Sequence, residues 1–456
     1  MSSHPQAAPS VEQLRARARP PGPARGGLKQ IGFYLDPLHF LARLQRTYGD
    51  LVAFRFLQHD AILISDPELI REILVTQHAN FIKGPALQRS RAFLGDGLLT
   101  NEGAAHLRQR KLMQPAFYHD RLRTYGATMV ELTACQMERW RQRDLSKKAF
   151  DMRGEMVALT QAIVARTLYS ADLSSESEPL TQAISDLFGF FRLLRLPGGR
   201  NIGKFPILGS RLRKAEKKLD GLMYKLIAER RASQADCGDL LSMLLLKDAD
   251  GDGMNDKQIR DEMLTLFIAG HETTANALAW TWKLLAQNPE AERQFHHELM
   301  QLLNGRLPNF DDLDRLPYTR AVLAESMRLY PPAWLVARQA KGAFRLGSYR
   351  FGAGTVCMMS QWIVHRHPLY WSEPDRFLPE RWLAEGDRPK LAYFPFGAGP
   401  RVCIGERFAW MEGVLVLAAI GSQWQFQMRK PEAEPGLEPS ITLRPKGGLP
   451  MVACQR

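Results

Sequence analysis

Cysteine is scarce in this 456-residue chain, with five residues in all. Cys135, Cys237, Cys357, Cys403 and Cys454 are odd in number, widely spaced and never in a C-x-x-C arrangement, which excludes a zinc ribbon and a disulfide framework. Scattered thiols of this kind fit a reducing, cytoplasmic setting. Long apolar runs are also missing near the N-terminus, so neither a signal peptide nor a membrane span is expected there. Residues 1–30, rich in Pro, Ala and Arg, read as a disordered segment. No linker-like break, internal repeat or low-complexity stretch follows, so a single large domain is expected over residues 31–456. Acidic residues are in deficit, 48 against 61 Lys and Arg, for a net charge of +13. Such a balance favours nucleic acid, an anionic membrane surface or an acidic protein partner, and no nucleic-acid motif accompanies it here. The acidic loop Asp248 to Asp256 lacks the glutamate that a calcium loop needs at its twelfth position, which excludes that site.

Helical periodicity dominates what is there. Helices are expected over Asp66 to Thr76, Gly103 to Pro115, Arg121 to Arg143, Met152 to Leu168, Arg211 to Arg231 and Asp256 to Gln287. Strand character is confined to short runs: Leu51 to Leu57 and Ala61 to Ser65, split by a turn at Gln58-His59-Asp60, then Trp334 to Ala337, Ala343 to Phe351, Thr355 to Ser360 and a hairpin within Ile441 to Met451. The stretch His78 to Asn101 shows no sustained period and reads as a loop.

The most informative stretch is Phe396-Gly397-Ala398-Gly399-Pro400-Arg401-Val402-Cys403-Ile404-Gly405. Its glycines permit positive φ and close approach to a flat partner. Cys403 precedes an apolar helical stretch, whose N-terminal N–H groups and dipole favour a thiolate, the form that binds metal. Arg401 offers a cation to an acidic group of the same ligand.

This run resembles the F-x-x-G-x-R-x-C-x-G haem-binding loop of the cytochrome P-450 superfamily, beginning at Phe396, and the likeness extends over nearly the whole chain. The resemblance implies a mainly α fold with a small β portion. It implies haem b (iron protoporphyrin IX) with Cys403 as axial thiolate, a ligand that favours O–O cleavage. Arg401, Arg338, and the pair His106 and Arg110 four residues apart, would then meet the haem propionates. Ala269-Gly270-His271-Glu272-Thr273-Thr274 resembles the family's A-G-x-[D/E]-T element. By that likeness Gly270 lets the flat cofactor lie close, Thr273 orders oxygen and water, Glu272 relays protons, and His271 is structural. Glu325 and Arg328 match E-x-x-R, and Arg381 would complete a buried charge network under the cysteine loop.

Function follows from the same likeness. It implies a monooxygenase that inserts one atom of O2 into a lipophilic substrate, with electrons from a ferredoxin or flavodoxin and its reductase. Arg108, Lys111 and Arg407 would contact that acidic donor. Substrate would pass Phe188, Phe190, Phe191 and Leu194, with Phe81, Phe93, Leu94, Leu98 and Leu99 as further candidate contacts. The basic residues 192–231 would permit at most a peripheral contact with anionic membrane. The alternatives are a peroxide-driven peroxygenase and a haem-binding sensor or carrier, neither of which needs the Glu272–Thr273 pair.

Overall fold

Aspartate and proline set several element boundaries in the computed structural model, which describes residues 19–23, 31–56, 58–143, 145, 148–173, 176–194, 206–246, 253–384, 386–430 and 434–456. Asp36-Pro37 and Asp66-Pro67 each place a side-chain acceptor at the N-cap and proline in the first turn. The first helices are α1 (Ile31–Leu35), α2 (Pro37–Tyr48), α3 (Pro67–Arg71), α4 (Pro85–Leu94), α5 (Gly103–Met113), α6 (His119–Arg141) and α7 (Met152–Tyr169). Then come α8 (Ser177–Leu194), α9 (Pro206–Ser233), α10 (Leu240–Leu245), α11 (Asp256–Gln287), α12 (Pro289–Leu303), α13 (Pro317–Leu329), α14 (Gln361–Val364) and α15 (Glu406–Gly421). The strands are β1 (Leu51–Phe56), β2 (His59–Ile64), β3 (Phe81–Lys83), β4 (Phe150–Asp151), β5 (Val336–Ala340), β6 (Phe344–Leu346), β7 (Tyr349–Phe351) and β8 (Val356–Met359), followed by β9 (Trp424–Met428), β10 (Leu437–Pro439), β11 (Leu443–Pro445) and β12 (Pro450–Gln455).

The fold is mainly α, as expected, with α11 at its centre. A reciprocal capping box between Asn255 and Gln258 starts that helix, and it packs on α7, α9, α13 and α15. Nearly every α11 residue from Ile259 to Leu285 is buried, so its sequence shows little amphipathic contrast. The largest sheet has the order β1-β2-β8-β5-β3, with β2 and β8 parallel and the other pairs antiparallel. Period-two alternation divides its two faces: Val52, Phe54, Leu63 and Met358 meet α2, whereas Ala53, Ile62, Ile64 and Met359 meet Ile70 and Ile73.

Four expectations need correction. The first hairpin pairs Phe56 with His59, so His59 and Asp60 lie in β2 rather than in the turn. His78 to Asn101 is not one loop, because it holds β3 and α4, a helix whose weak apolar contrast hid it. Residues 19–23 of the N-terminal segment lie against the sheet, with Ala53 N–H donating to Pro21 O at 2.9 Å, and the rest of residues 1–30 lies outside the described residues. Phe188 is no entrance residue: it is 2% exposed and belongs to the main core, while Phe190 is half-buried with its ring edge-to-face on Phe93. The side chains of Phe191 and Leu194 fall outside the described ones. Phe81, Phe93, Leu94 and Leu98 are likewise buried, which leaves Leu99 as the half-open member of that group.

Candidate active site

Two glycines shape the cysteine loop. Gly397 and Gly399 have φ of +75° and +71°, and a Cβ on Gly399 would stand 2.1 Å from Leu74 O in the π-helical turn Glu72–Thr76. Only glycine fits that approach. Cys403 N–H donates to Phe396 O at 3.0 Å, and Gly405 caps α15 two residues later. Cys403 keeps accessible surface although many protein atoms surround it. Burial therefore pushes the thiol up to about 11, against the opposing pull of Gly405 N–H and Arg110. A bound cation would add to the pull of Gly405 N–H and Arg110 and favour the thiolate.

Beside this loop stands a cluster of cations. The register of β3 on β5 sets Lys83 directly opposite Arg338, a like-charge pairing that is unfavourable by itself. Lys83 Nζ donates to Leu98 O and Asn101 O, each at 2.7 Å, and burial pushes its pKa down to about 7. Arg338 is buried, donates to Ala337 O at 3.1 Å, and is pushed down to about 10, first by burial and then by Arg401. His106 is buried and neutral, driven down to about 4 by burial and by Lys83, Arg401, Arg110 and Arg338. Arg110 donates to Val402 O at 2.8 Å. Arg401 donates to Phe81 O at 2.9 Å and to Glu102 Oε2 at 2.6 Å. The other Glu102 oxygen accepts from Lys83 N–H at 2.5 Å.

Arg401, His106, Arg110 and Arg338 thus share one electrostatic neighbourhood with Lys83, which the sequence reading did not single out, nor did it single out Glu102. Only strand register reveals Lys83, and Glu102 carries no signal beyond preceding a helix. Several cations sharing one carboxylate suit a ligand that brings carboxylates of its own. A flat cofactor with two propionates fits that donor set.

The facing surface comes from α11. Ala269, Gly270 and Thr273 are half-buried, whereas Phe267, His271, Ala275 and Ala277 around them are buried. A strip of small, open side chains in the middle of a buried helix also fits a flat ligand. Side chains draw on the carbonyls of this turn. Thr273 Oγ1 donates to Ala269 O at 2.7 Å, Thr274 Oγ1 to Gly270 O at 3.1 Å, and Thr160 Oγ1 to His271 O at 3.0 Å. The His271 ring lies in the core with Nδ1 donating to Phe267 O at 2.6 Å.

Glu272 does not stand free. Its carboxylate accepts from Arg153 Nη2 at 2.9 and 3.1 Å, from Asn276 Nδ2 at 3.0 Å and from Thr442 Oγ1 at 3.2 Å. Arg153 comes from α7 and Thr442 from the turn of the β10–β11 hairpin, more than a hundred residues away on either side. Long-range pairing of this kind left no local signal.

The loop over α11 is held by acids as well. Asp96 N–H donates to Asp261 Oδ2 and Leu98 N–H to Glu262 Oε2, both at 2.8 Å. Burial pushes the Glu262 carboxyl up to about 8, with Leu98 N–H pulling the other way. The folded state thus keeps a proton that the unfolded chain releases near 4.5, so this group's contribution to stability falls as pH rises between those values. Glu262→Gln is expected to remove on the order of 2 kcal/mol of that fall. Urea midpoints at pH 5 and pH 8 for both proteins test it, and equal pH slopes would contradict it.

Arg108, Lys111 and Arg407 are exposed, with exposed Leu107 and Leu112 flanking the first two in sequence. Among the described residues no helix is long and apolar enough to cross a membrane.

Known proteins with the same pattern supply the context. The cytochrome P-450 family profile matches residues 17–451. The chain is 36% identical to cyclooctatin synthase and 37% identical to cyclooctat-9-en-7-ol 5-monooxygenase, both from Streptomyces melanosporofaciens, with 89% of each chain covered in both cases. It is 34% identical to pentalenene oxygenase of Streptomyces avermitilis over 91% of this chain and 92% of that one. A cysteine loop built on left-handed glycines, a cation cluster beside it and an acid–alcohol pair on the central helix thus stand in a chain that belongs to the cytochrome P-450 family of haem-thiolate monooxygenases.

Proposed function

We propose that this monooxygenase hydroxylates or epoxidises a lipophilic, terpenoid-like substrate with one atom of O2, using electrons from a separate ferredoxin or flavodoxin and its reductase. The observation that carries the reading is Thr273 on the open strip of α11, with Glu272 beside it held by a charged network. The substrate class follows two relatives, which are named for oxygenating cyclooctat-9-en-7-ol and pentalenene.

Haem b held by Cys403 would supply the binding and reductive activation of dioxygen. The chain's own part is positional and protonic. Arg338, Arg401 and Arg110 would hold the propionates, with neutral His106 as a hydrogen-bond donor among them. Arg401 shares its guanidinium with Glu102, which fixes the fork before any ligand arrives. Ala269 keeps the middle of α11 low enough for a flat ligand, whereas Gly270 serves the packing on α7, since a Cβ there would stand 3.0 Å from Val164 Cγ2. Thr273 Oγ1 can turn from Ala269 O to present its hydroxyl to the open side. Arg153, Asn276 and Thr442 orient the Glu272 carboxylate, so Arg153 would position the acid for proton transfer. The exposed cations Arg108, Lys111 and Arg407 would meet an acidic electron donor.

The test is reconstitution with a ferredoxin, its reductase, NADH and 18O2 across a panel of cyclic terpenes. One labelled oxygen in the product supports the reading. Turnover with hydrogen peroxide alone, and none with the electron donors, would replace it with the peroxygenase. Thr273→Ala is expected to retain haem and substrate binding while product formed per NADH drops about tenfold or more. An unchanged ratio would remove Thr273 from the mechanism.

A further inference from the structure

One acidic side chain is left unexplained by this site. Glu412 lies in the middle of α15 and is 0% exposed, among Met411, Val414, Leu415 and Val416. Three other buried carboxylates have cations, Glu272 with Arg153, Glu325 with Arg328 and Asp239 with Arg230, while Glu262 accepts from Leu98 N–H. Both oxygens of Glu412 lack an aligned hydrogen-bond partner among the described residues. The polar side chain beside it is Thr274 of α11, which follows the acid–alcohol pair directly.

The chemistry of the contact is restricted. A threonine hydroxyl has one proton and two lone pairs. Thr274 spends its proton on Gly270 O at 3.1 Å, so it has only acceptor capacity left for Glu412. A carboxylate has only acceptors, and two acceptors cannot bond. A carboxylic acid can donate. We propose that Glu412 is a positioning residue of the oxygenation site: as a neutral acid it donates to Thr274 Oγ1, which donates to Gly270 O, and so holds the α11 turn that presents Glu272 and Thr273.

Burial of a bare carboxylate with no cation is strongly unfavourable, and burial pushes the Glu412 pKa up to about 8, with the Thr274 contact drawing it the other way. The turn also needs an external hold, because Gly270 weakens the helix and its own carbonyl is drawn outward by Thr274. From the other side Thr160 of α7 grips the next carbonyl, His271 O. The open turn is thereby clamped between α7 and α15. The proposal rests on the monooxygenase reading for the purpose of the turn, though not for the hydrogen bond itself.

Infrared difference spectroscopy at pH 7 reads the bond directly. The wild-type spectrum is expected to contain a protonated-carboxyl C=O stretch that disappears in Glu412→Gln and shifts in Thr274→Val. Absence of that band would overturn the proposal whatever the enzyme oxidises. With a confirmed substrate, Glu412→Leu is expected to lower product per NADH about tenfold with little change in substrate affinity, as for a small misplacement of reacting groups. Glu412→Gln, whose amide can donate, is expected to restore most of it. Equal coupling in the Leu and Gln variants would also overturn it. Failure of every substrate to turn over, with the carboxyl band present, would count against the monooxygenase reading alone.

Discussion

Glu325→Ala is expected to destabilise the fold by about 3–5 kcal/mol, because it strips the acceptor from a guanidinium that has no access to water. Glu325 and Arg328 of α13 are both 0% exposed and meet through Nε at 2.8 Å and Nη2 at 2.7 Å. The same carboxylate accepts from Leu378 N–H and Arg381 Nε at 3.0 Å and from Trp382 Nε1 at 2.8 Å. Arg328 in turn ties down His365 O, Pro374 O and Arg376 O. One carboxylate thus joins α13 to the segment that leads into the cysteine loop. Glu325→Gln keeps the shape and loses the charge, so its cost should fall between wild type and alanine. Urea unfolding of the three proteins measures this order, and a Glu325→Ala midpoint equal to wild type would contradict it.

Arg153→Ala is expected to lower stability by about 2–3 kcal/mol and to disturb proton delivery at the same time, because it leaves Glu272 buried without its cation. The effect is smaller than for Glu325 because Arg153 is 18% exposed and Asn276 and Thr442 still donate to Glu272. A solvent-isotope effect on NADH consumption separates the two consequences. It should change in Arg153→Ala, whereas a purely structural loss would leave it as in wild type. Restoration of both stability and isotope effect by Arg153→Lys would confirm that charge is the cause.

How much of this was legible in the sequence differs by element. The α11 boundaries were readable from residue pattern, because the helix has a capping box at one end and Asn288-Pro289 at the other. The cysteine loop was readable because its glycines are demanded by geometry: Gly399 abuts Leu74 O. Helix α4 was not, since its apolar and polar residues show little separation. Arg153, Thr442, Lys83 and Glu102 act through register and packing between elements far apart in the chain. Phe188 illustrates the reverse error, for an apolar residue in a segment placed over a pocket is still most often core.

The central claim is that Cys403 delivers a thiolate to haem iron, and the visible spectrum of the reduced, carbon monoxide-treated holoprotein tests it most directly. The account predicts the strongly red-shifted Soret band of thiolate ligation in the wild type and its loss in Cys403→Ser. A Cys403→Ser protein that retained that band would contradict it.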